Sequence, residues 1–180
     1  MKINRHNTAI KRSKLSAPTK WAWKHNQIRS KVYDWGCGRG DDAEFLKNDG
    51  FSVIAYDPYH CPENSPEMVD FGQIQTVMNN YVLNVIEHKA TRTILLKKIA
   101  DKISDKTKVI LSVRGRNEIE NNAEKKGWKA YKDGFITSSN TFQKGYYQFE
   151  IEALCQRFFD VYMSETLSGG TVLVLTKKVL

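Results

Sequence analysis

Three glycines at alternate positions, Gly36, Gly38 and Gly40, separate an apolar run at 31–35 from the charged stretch at 41–50. Glycine inside an element costs roughly 0.5–1 kcal/mol, so this density points to a loop whose backbone must come close to something. Asp34 precedes the glycines, and Asp57 ends the next apolar run, 17 residues after Gly40. A glycine-rich turn from a first strand into a first helix offers backbone amides and a helix N-terminus to a ligand, and a carboxylate about 20 residues further on reaches ribose hydroxyls. The loop alone could be a structural turn. With Asp57 in place, the spacing predicts an adenosyl-ligand site.

Two carboxylates narrow the ligand. Asp41 and Asp42 fall where the first helix would begin. They suit the positive end of a helix but repel phosphate. No Gly-Lys-Ser/Thr sequence follows the glycines, which excludes a P-loop. A phosphate-free ligand with a cationic sulfonium fits better, and S-adenosyl-L-methionine is that ligand.

Acceptor chemistry is less sharply marked. Asn79 and Asn80 carry carboxamides able to accept from an exocyclic amine, and Tyr81 a ring able to stack on a base, though the same residues fit a helix N-cap and a core tyrosine. Asp133 is the candidate general base in the acceptor-side loops. Lysines interleave with Trp128 and Tyr131 at 125–132, and Tyr146 lies in a similar segment at 142–147, the pattern of a surface that binds phosphate and stacks bases, or of a solvated face with edge aromatics. His60 and Cys61 are adjacent, while Cys37 and Cys155 lack metal-ligand spacing, so no metal site is expected.

These residues need a scaffold. Apolar runs at 31–35, 51–56, 75–78, 108–113, 159–163 and 171–177 read as six strands, with a seventh expected near 68–71. Helical stretches fall at 41–50, from 79 through 102 with Ile94, Leu95, Ile99 and Ile103 on one face, at 117–127 and at 149–159; 131–147 reads as loop. Alternating strands and helices imply an α/β, Rossmann-like, doubly wound sheet of about seven strands, mostly parallel with an antiparallel C-terminal edge. The formal charge of +8 is concentrated in one place: residues 1–31 hold nine bases, from Lys2 to Lys31, and no acid. We divide the chain into a basic arm, 1–30, packed at least partly on the body, and a ligand-binding domain, 31–180. Three cysteines, no secretory leader and no long apolar run fit a cytoplasmic protein without a membrane partner.

The run from Asp34 through Gly36, Gly38 and Gly40, followed by Asp57, resembles the cofactor motifs of class I S-adenosylmethionine-dependent methyltransferases. The blocks HNTAIKRSKLSAP, DWGCGRGDD, Asp57-Pro58-Tyr59, NYVLNVIE and NTFQKGYY resemble a bacterial and phage family of DNA phosphorothioation-associated methyltransferases. The resemblance implies that residues 34–40, Cys37 included, wrap the methionine and sugar, that Asp57 with Pro58 meets the ribose, and that Asn79 and Asn80 lie at the methionine end or the acceptor. It also implies an arm folded over the pocket, with Arg12 and Lys14 beside its mouth. Together with the arm's charge this favours a nucleic-acid acceptor, DNA before RNA, gripped through phosphates. A small-molecule acceptor, or cofactor binding without turnover, is the alternative.

Overall fold

The computed structural model describes residues 3–178; Lys2 of the basic arm lies outside them. In chain order the elements are α1 (Ala17–Lys24), β1 (Val32–Trp35), α2 (Asp41–Asn48), β2 (Val53–Tyr56), β3 (Thr76–Asn80), α3 (Lys89–Lys102), β4 (Lys108–Arg114), α4 (Arg116–Lys126), the short strands β5 (Lys129–Tyr131), β6 (Gly134–Ile136) and β7 (Phe142–Gln143), α5 (Gln148–Cys155), β8 (Phe159–Leu167) and β9 (Gly170–Lys177). The main sheet has the order β2-β1-β3-β4-β9-β8, in which only β9 runs against the others. This is the expected Rossmann-like sheet, built from six strands.

Strand period explains its two faces. Tyr33, Val77, Val109, Leu111, Leu173 and Leu175 point to one side, where they pack with Leu96 and Ile99 of α3 and Ile151 and Cys155 of α5. Their neighbours Val32, Met78, Ile110, Val172 and Val174 point to the other, against Ala43 and Leu46 of α2 and Ala22 of α1. Ala22 is fully buried, so the basic arm supplies part of the helical layer on that face.

Four local expectations change. No strand forms at 68–71: Asp70 accepts from the Gly72 amide at 2.9 Å in a 3₁₀ turn over Phe71–Gln73, and Phe71 packs edge-on against Tyr33 instead. β3 runs through both Asn79 and Asn80, and α3 starts only at Lys89, so neither asparagine caps a helix. The buried side of α3 is Arg92, Leu96 and Ile99, while Ile94 is exposed. Finally, residues 129–143 form a small antiparallel sheet of β5, β6 and β7 rather than loop. Gly134 makes its tight pairing possible, since a Cβ there would meet the Gln143 carbonyl oxygen at 2.5 Å.

β1 leads to β2 on one side, while β3 lies on the other. The strand order therefore reverses between β1 and β3, and their carboxyl ends flank the crevice where ligands bind in open α/β sheets.

Candidate cofactor and acceptor site

The glycine loop turns away from the end of β1 with the Gly36 and Cys37 amides both donating to the Tyr56 carbonyl, at 2.8 and 3.0 Å. All three glycines have positive φ: +91° at Gly36, +57° at Gly38 and +81° at Gly40, the residue preceding α2. At Gly36 the need for glycine is also steric, because a Cβ would come within 2.3 Å of Val82. Above the loop lies a cavity of about 430 Å³. Its floor is the ends of β1, β2 and β3 with the glycine loop, and residues 5–12 of the arm, together with Ser16, enclose it from the other side.

Four carboxylates stand in or beside this space, and they do different things. Asp41 and Asp42 anchor the arm. The Arg12 amide donates to Asp41 Oδ2 at 2.6 Å. Asp42 accepts from the Ser16 amide at 2.8 Å, the Ser16 hydroxyl at 2.5 Å and the Thr19 hydroxyl at 2.6 Å, all buried. Asn80 continues this network, donating to Thr19 Oγ1 at 3.0 Å and accepting from Ser112 Oγ at 2.9 Å. Asp57 Oδ1 accepts from the Tyr59 and His60 amides at 2.9 and 3.1 Å, which fixes the turn after β2 and places Asp57 and Pro58 on the cavity wall.

Asp34 is the fourth. It is 4% exposed, and burial, reinforced by the Asp42 and Asp57 charges and opposed by Arg12, pushes its carboxyl up to about 8. The native chain thus keeps a proton that the unfolded chain releases near pH 4, roughly. The associated stability is complete at low pH and is lost as the pH rises through about 8. Replacing Asp34 by Asn should flatten that decline. Thermal unfolding of ligand-free protein is expected to give a higher Tm for the variant at about pH 9 and a smaller difference at about pH 5. An unchanged pH slope would remove Asp34 as its source.

The candidate residues distribute unevenly. Asp34, Gly36, Cys37, Gly38, Asp57, Pro58, Asn80, Tyr81 and Arg12 line the cavity. Gly40 sits one turn back at the start of α2. Asn79 faces the opposite side of the sheet from Asn80, fully buried, with its amide donating to the Trp35 carbonyl at 2.8 Å. It braces β1 and does not reach the cavity. Asp133 forms a two-pronged pair with Arg92 at 2.7 and 2.8 Å, away from the lining. The general-base assignment therefore has no geometry behind it. Tyr146 is buried at 4% exposure, accepts from Arg92 at 3.0 Å, and has its phenol pushed up to about 12 by burial, so it offers no ring to an acceptor. Trp128 lies beyond α4 with Lys126 over its ring, and Lys14 is exposed and does not line the cavity. Residues that sequence patterns passed over complete the site. Ser16, Thr19 and Ser112 carry the arm network, and Arg114, paired with Glu118, lies 5.9 Å from the centre of the Tyr81 ring, as near as Arg12 at 6.0 Å. The available signal was the pair Asp41 and Asp42 set against an arm without acids.

The crevice at the strand-order reversal, the cradle that requires Gly36, and a cavity holding three carboxylates and no phosphate-binding lysine fit a phosphate-free, cationic adenosyl ligand, and the volume lies in the usual range for such sites. The fold and the cleft together define a class I S-adenosylmethionine-dependent methyltransferase. Residues 6–158 match the family model described as Methyltransferase domain, and the chain belongs to that family. S-adenosylmethionine is its cofactor. No curated protein sequence matches the chain. Among solved structures, a methyltransferase of Methanosarcina mazei is similar at 17% identity, covering 88% of this chain and 98% of its own, with a TM-score of 0.66. The 1,6-didemethyltoxoflavin-N1-methyltransferase of Burkholderia thailandensis, solved with its acceptor and S-adenosylhomocysteine, is 15% identical over 90% of this chain and 77% of its own, with a TM-score of 0.64. A methyltransferase of Anabaena variabilis is 14% identical over 97% and 92%, with a TM-score of 0.63. At these identities the likeness is one of fold. No helix among the described residues is long and apolar enough to cross a membrane.

Proposed function

We propose that the protein transfers the cofactor's methyl group to a small molecule seated in the same cavity. The observation that carries this reading is the arm. It does not project as a free basic tail: Arg5 pairs with Glu87 at 2.7 Å, the 10–16 segment is tied to Asp41 and Asp42, and together they close the side of the cavity that a broad acceptor would have to approach. The Burkholderia enzyme, whose acceptor is a small molecule in the same fold, supports it.

The bound cofactor supplies an electrophilic methyl on a sulfonium. The chain's share is to position and enclose. The glycine loop and Asp57 hold the adenosyl part; Tyr81, at φ +61° with the Arg12 and Arg114 guanidiniums near its ring, presents that ring to the acceptor. Alignment of two bound reactants is itself worth several orders of magnitude in rate, roughly 10⁵ M or more in effective concentration, so a dedicated base is not required. Asn80 is already engaged by Ser112 and Thr19, which argues against its use as an amine acceptor.

A nucleic-acid acceptor, as in the phosphorothioation-associated family, is the second reading. Lys11, Lys14, Lys20 and Lys24 are exposed along the outside of the arm, with no ion pair among the described residues. Labelled cofactor offered with DNA, RNA, nucleotides and small molecules, read by mass spectrometry, decides between them. The expected product is a methylated small molecule, formed at a rate unchanged by added salt and by Lys20→Glu with Lys24→Glu. Transfer to DNA or RNA that falls steeply with salt and with those reversals would replace this reading with the second.

A further inference from the structure

Charge on the cavity wall is sorted along the sheet edge. In the strand order β2-β1-β3-β4, Asp57 follows β2 and Asp34 lies in β1, whereas Tyr81 follows β3 and Arg114 ends β4. Those two acids stand at the half that holds the adenosyl part, and the β3–β4 half is left for the acceptor. That half carries cations. The Arg114 guanidinium, paired with Glu118, and the Arg12 guanidinium, reaching in from the arm, lie 5.9 and 6.0 Å from the centre of the Tyr81 ring. Arg12 differs from the other arginines of the wall. Arg5 is paired with Glu87, Arg114 with Glu118, and Arg39 donates to the Ala9 carbonyl at 3.1 Å, but the half-buried Arg12 side chain has no carboxylate or hydrogen-bond acceptor among the described residues. Its backbone is nevertheless pinned, the amide donating to Asp41 at 2.6 Å. Burial pushes the Asp34 carboxyl up to about 8, so at neutral pH that acid does not cancel the Arg12 charge from across the cavity.

A tethered guanidinium without a counter-ion, beside an aromatic ring, is a receptor for a flat molecule that carries one negative charge. We propose that the acceptor is a planar carboxylate, its anionic group received by Arg12 and its conjugated body laid against Tyr81, with Val82, Val85 and Ile86 as apolar wall. Tyr81 is fixed for this task. Its backbone sits at φ +61°, uncommon for a bulky side chain, and its amide donates to the Ser112 carbonyl at 2.9 Å, which sets where the ring leaves the strand end. Glu118 already neutralises Arg114, so a second negative charge on the acceptor would find no unpaired cation beside Tyr81. The site therefore suits a monoanionic carboxylate better than a phosphate dianion, and both guanidiniums repel a cationic acceptor. This inference rests on the small-molecule reading and deepens it by naming the acceptor's class.

Benzoate, benzamide and benzamidinium share nearly one shape and are negative, neutral and positive, so they isolate charge without any turnover. Titrated into the full chain saturated with S-adenosylhomocysteine and followed by NMR, they should bind in that order, benzoate ahead of benzamide by roughly tenfold or more, the usual worth of a charge-assisted contact. Arg12→Ala is expected to erase the advantage of benzoate while leaving benzamide and S-adenosylhomocysteine unchanged, and Arg12→Lys to restore part of it. Retained S-adenosylhomocysteine binding shows that each variant is folded. No preference for benzoate in wild type, a preference that persists in Arg12→Ala, or a wild-type complex that binds none of the three overturns the proposal. If Arg12→Ala weakens every ligand alike, Arg12 only packs the arm, and the proposal falls with that result too. Turnover with labelled cofactor separates this inference from the reading beneath it. Methylation of neutral or cationic small molecules but of no carboxylate overturns the acceptor class alone, whereas transfer only to DNA or RNA overturns the small-molecule reading as well.

Discussion

Gly36→Ala is expected to bring S-adenosylhomocysteine binding below detection and to lower stability by about 2–5 kcal/mol, more than any other single substitution in the glycine loop. Two independent costs add at this position. The backbone sits at φ +91°, where an L side chain is strained, and the new Cβ would lie 2.3 Å from Val82 Cγ2. Relief of the second cost requires Val82 to retreat, and Val82 is part of the cavity wall. Combining Gly36→Ala with Val82→Ala removes the collision and leaves the strain, so the pair should recover part of the stability. Chemical denaturation and calorimetry on the four proteins check this. A single Gly36→Ala variant that binds within about tenfold of wild type would show that the cofactor does not use this floor.

Asp42→Ala is expected to cost about 2–4 kcal/mol and to release the arm, because it leaves the Ser16 amide and the Ser16 and Thr19 hydroxyls without their shared acceptor in a buried place. The arm's trypsin sites at Lys11, Arg12 and Lys14 should be cut early in the variant and late in wild type, while cleavage in the body remains slow at low protease. Cofactor affinity should fall with it, since seven cavity-lining residues lie between Arg5 and Ser16. Unchanged arm protection would mean that other contacts, such as Arg5 with Glu87 or the Asn4 amide with the Asn140 carbonyl at 2.9 Å, hold the arm without Asp42.

The two substitutions bear on the two halves of the cavity, and their difference separates floor from roof. Gly36 acts through local sterics, whereas Asp42 acts through a segment more than 20 residues away in the chain. The first effect is visible in a short stretch of sequence. The second is not.

Much of the floor was legible without coordinates. Glycine spacing, the acid ending the second apolar run and the alternation of apolar runs with helical stretches are local properties, set by which φ values a residue tolerates and by the period of its side chains. They specified the parallel sheet, the loop between β1 and α2, and the positions of Asp34 and Asp57 at strand ends on one edge. The failures were also physical. Asn79 and Asn80 look equivalent in sequence, but a strand turns successive side chains to opposite faces, so Asn80 joins the arm network and Asn79 braces Trp35 beneath the other face. That distinction depends on β3 continuing two residues further than its apolar run suggested. Asp133 and Tyr146 looked available in the sequence, but the side chain that hydrogen-bonds both, Arg92, comes from α3, across 41 and 54 residues of chain.

What the sequence by itself determined is therefore the scaffold and the glycine loop, because those follow from backbone freedom and short-range periodicity. Tertiary structure alone decided the arm. Nine bases without an acid describe equally a tail that grips phosphates and a segment folded onto carboxylates elsewhere in the chain. Only the packing of Ala22 into the sheet's second face, and the meeting of Ser16 and Thr19 with Asp42, turned a run of positive charge into the wall of a cavity. Charge is a property of composition, but which charges meet is fixed by long-range contacts.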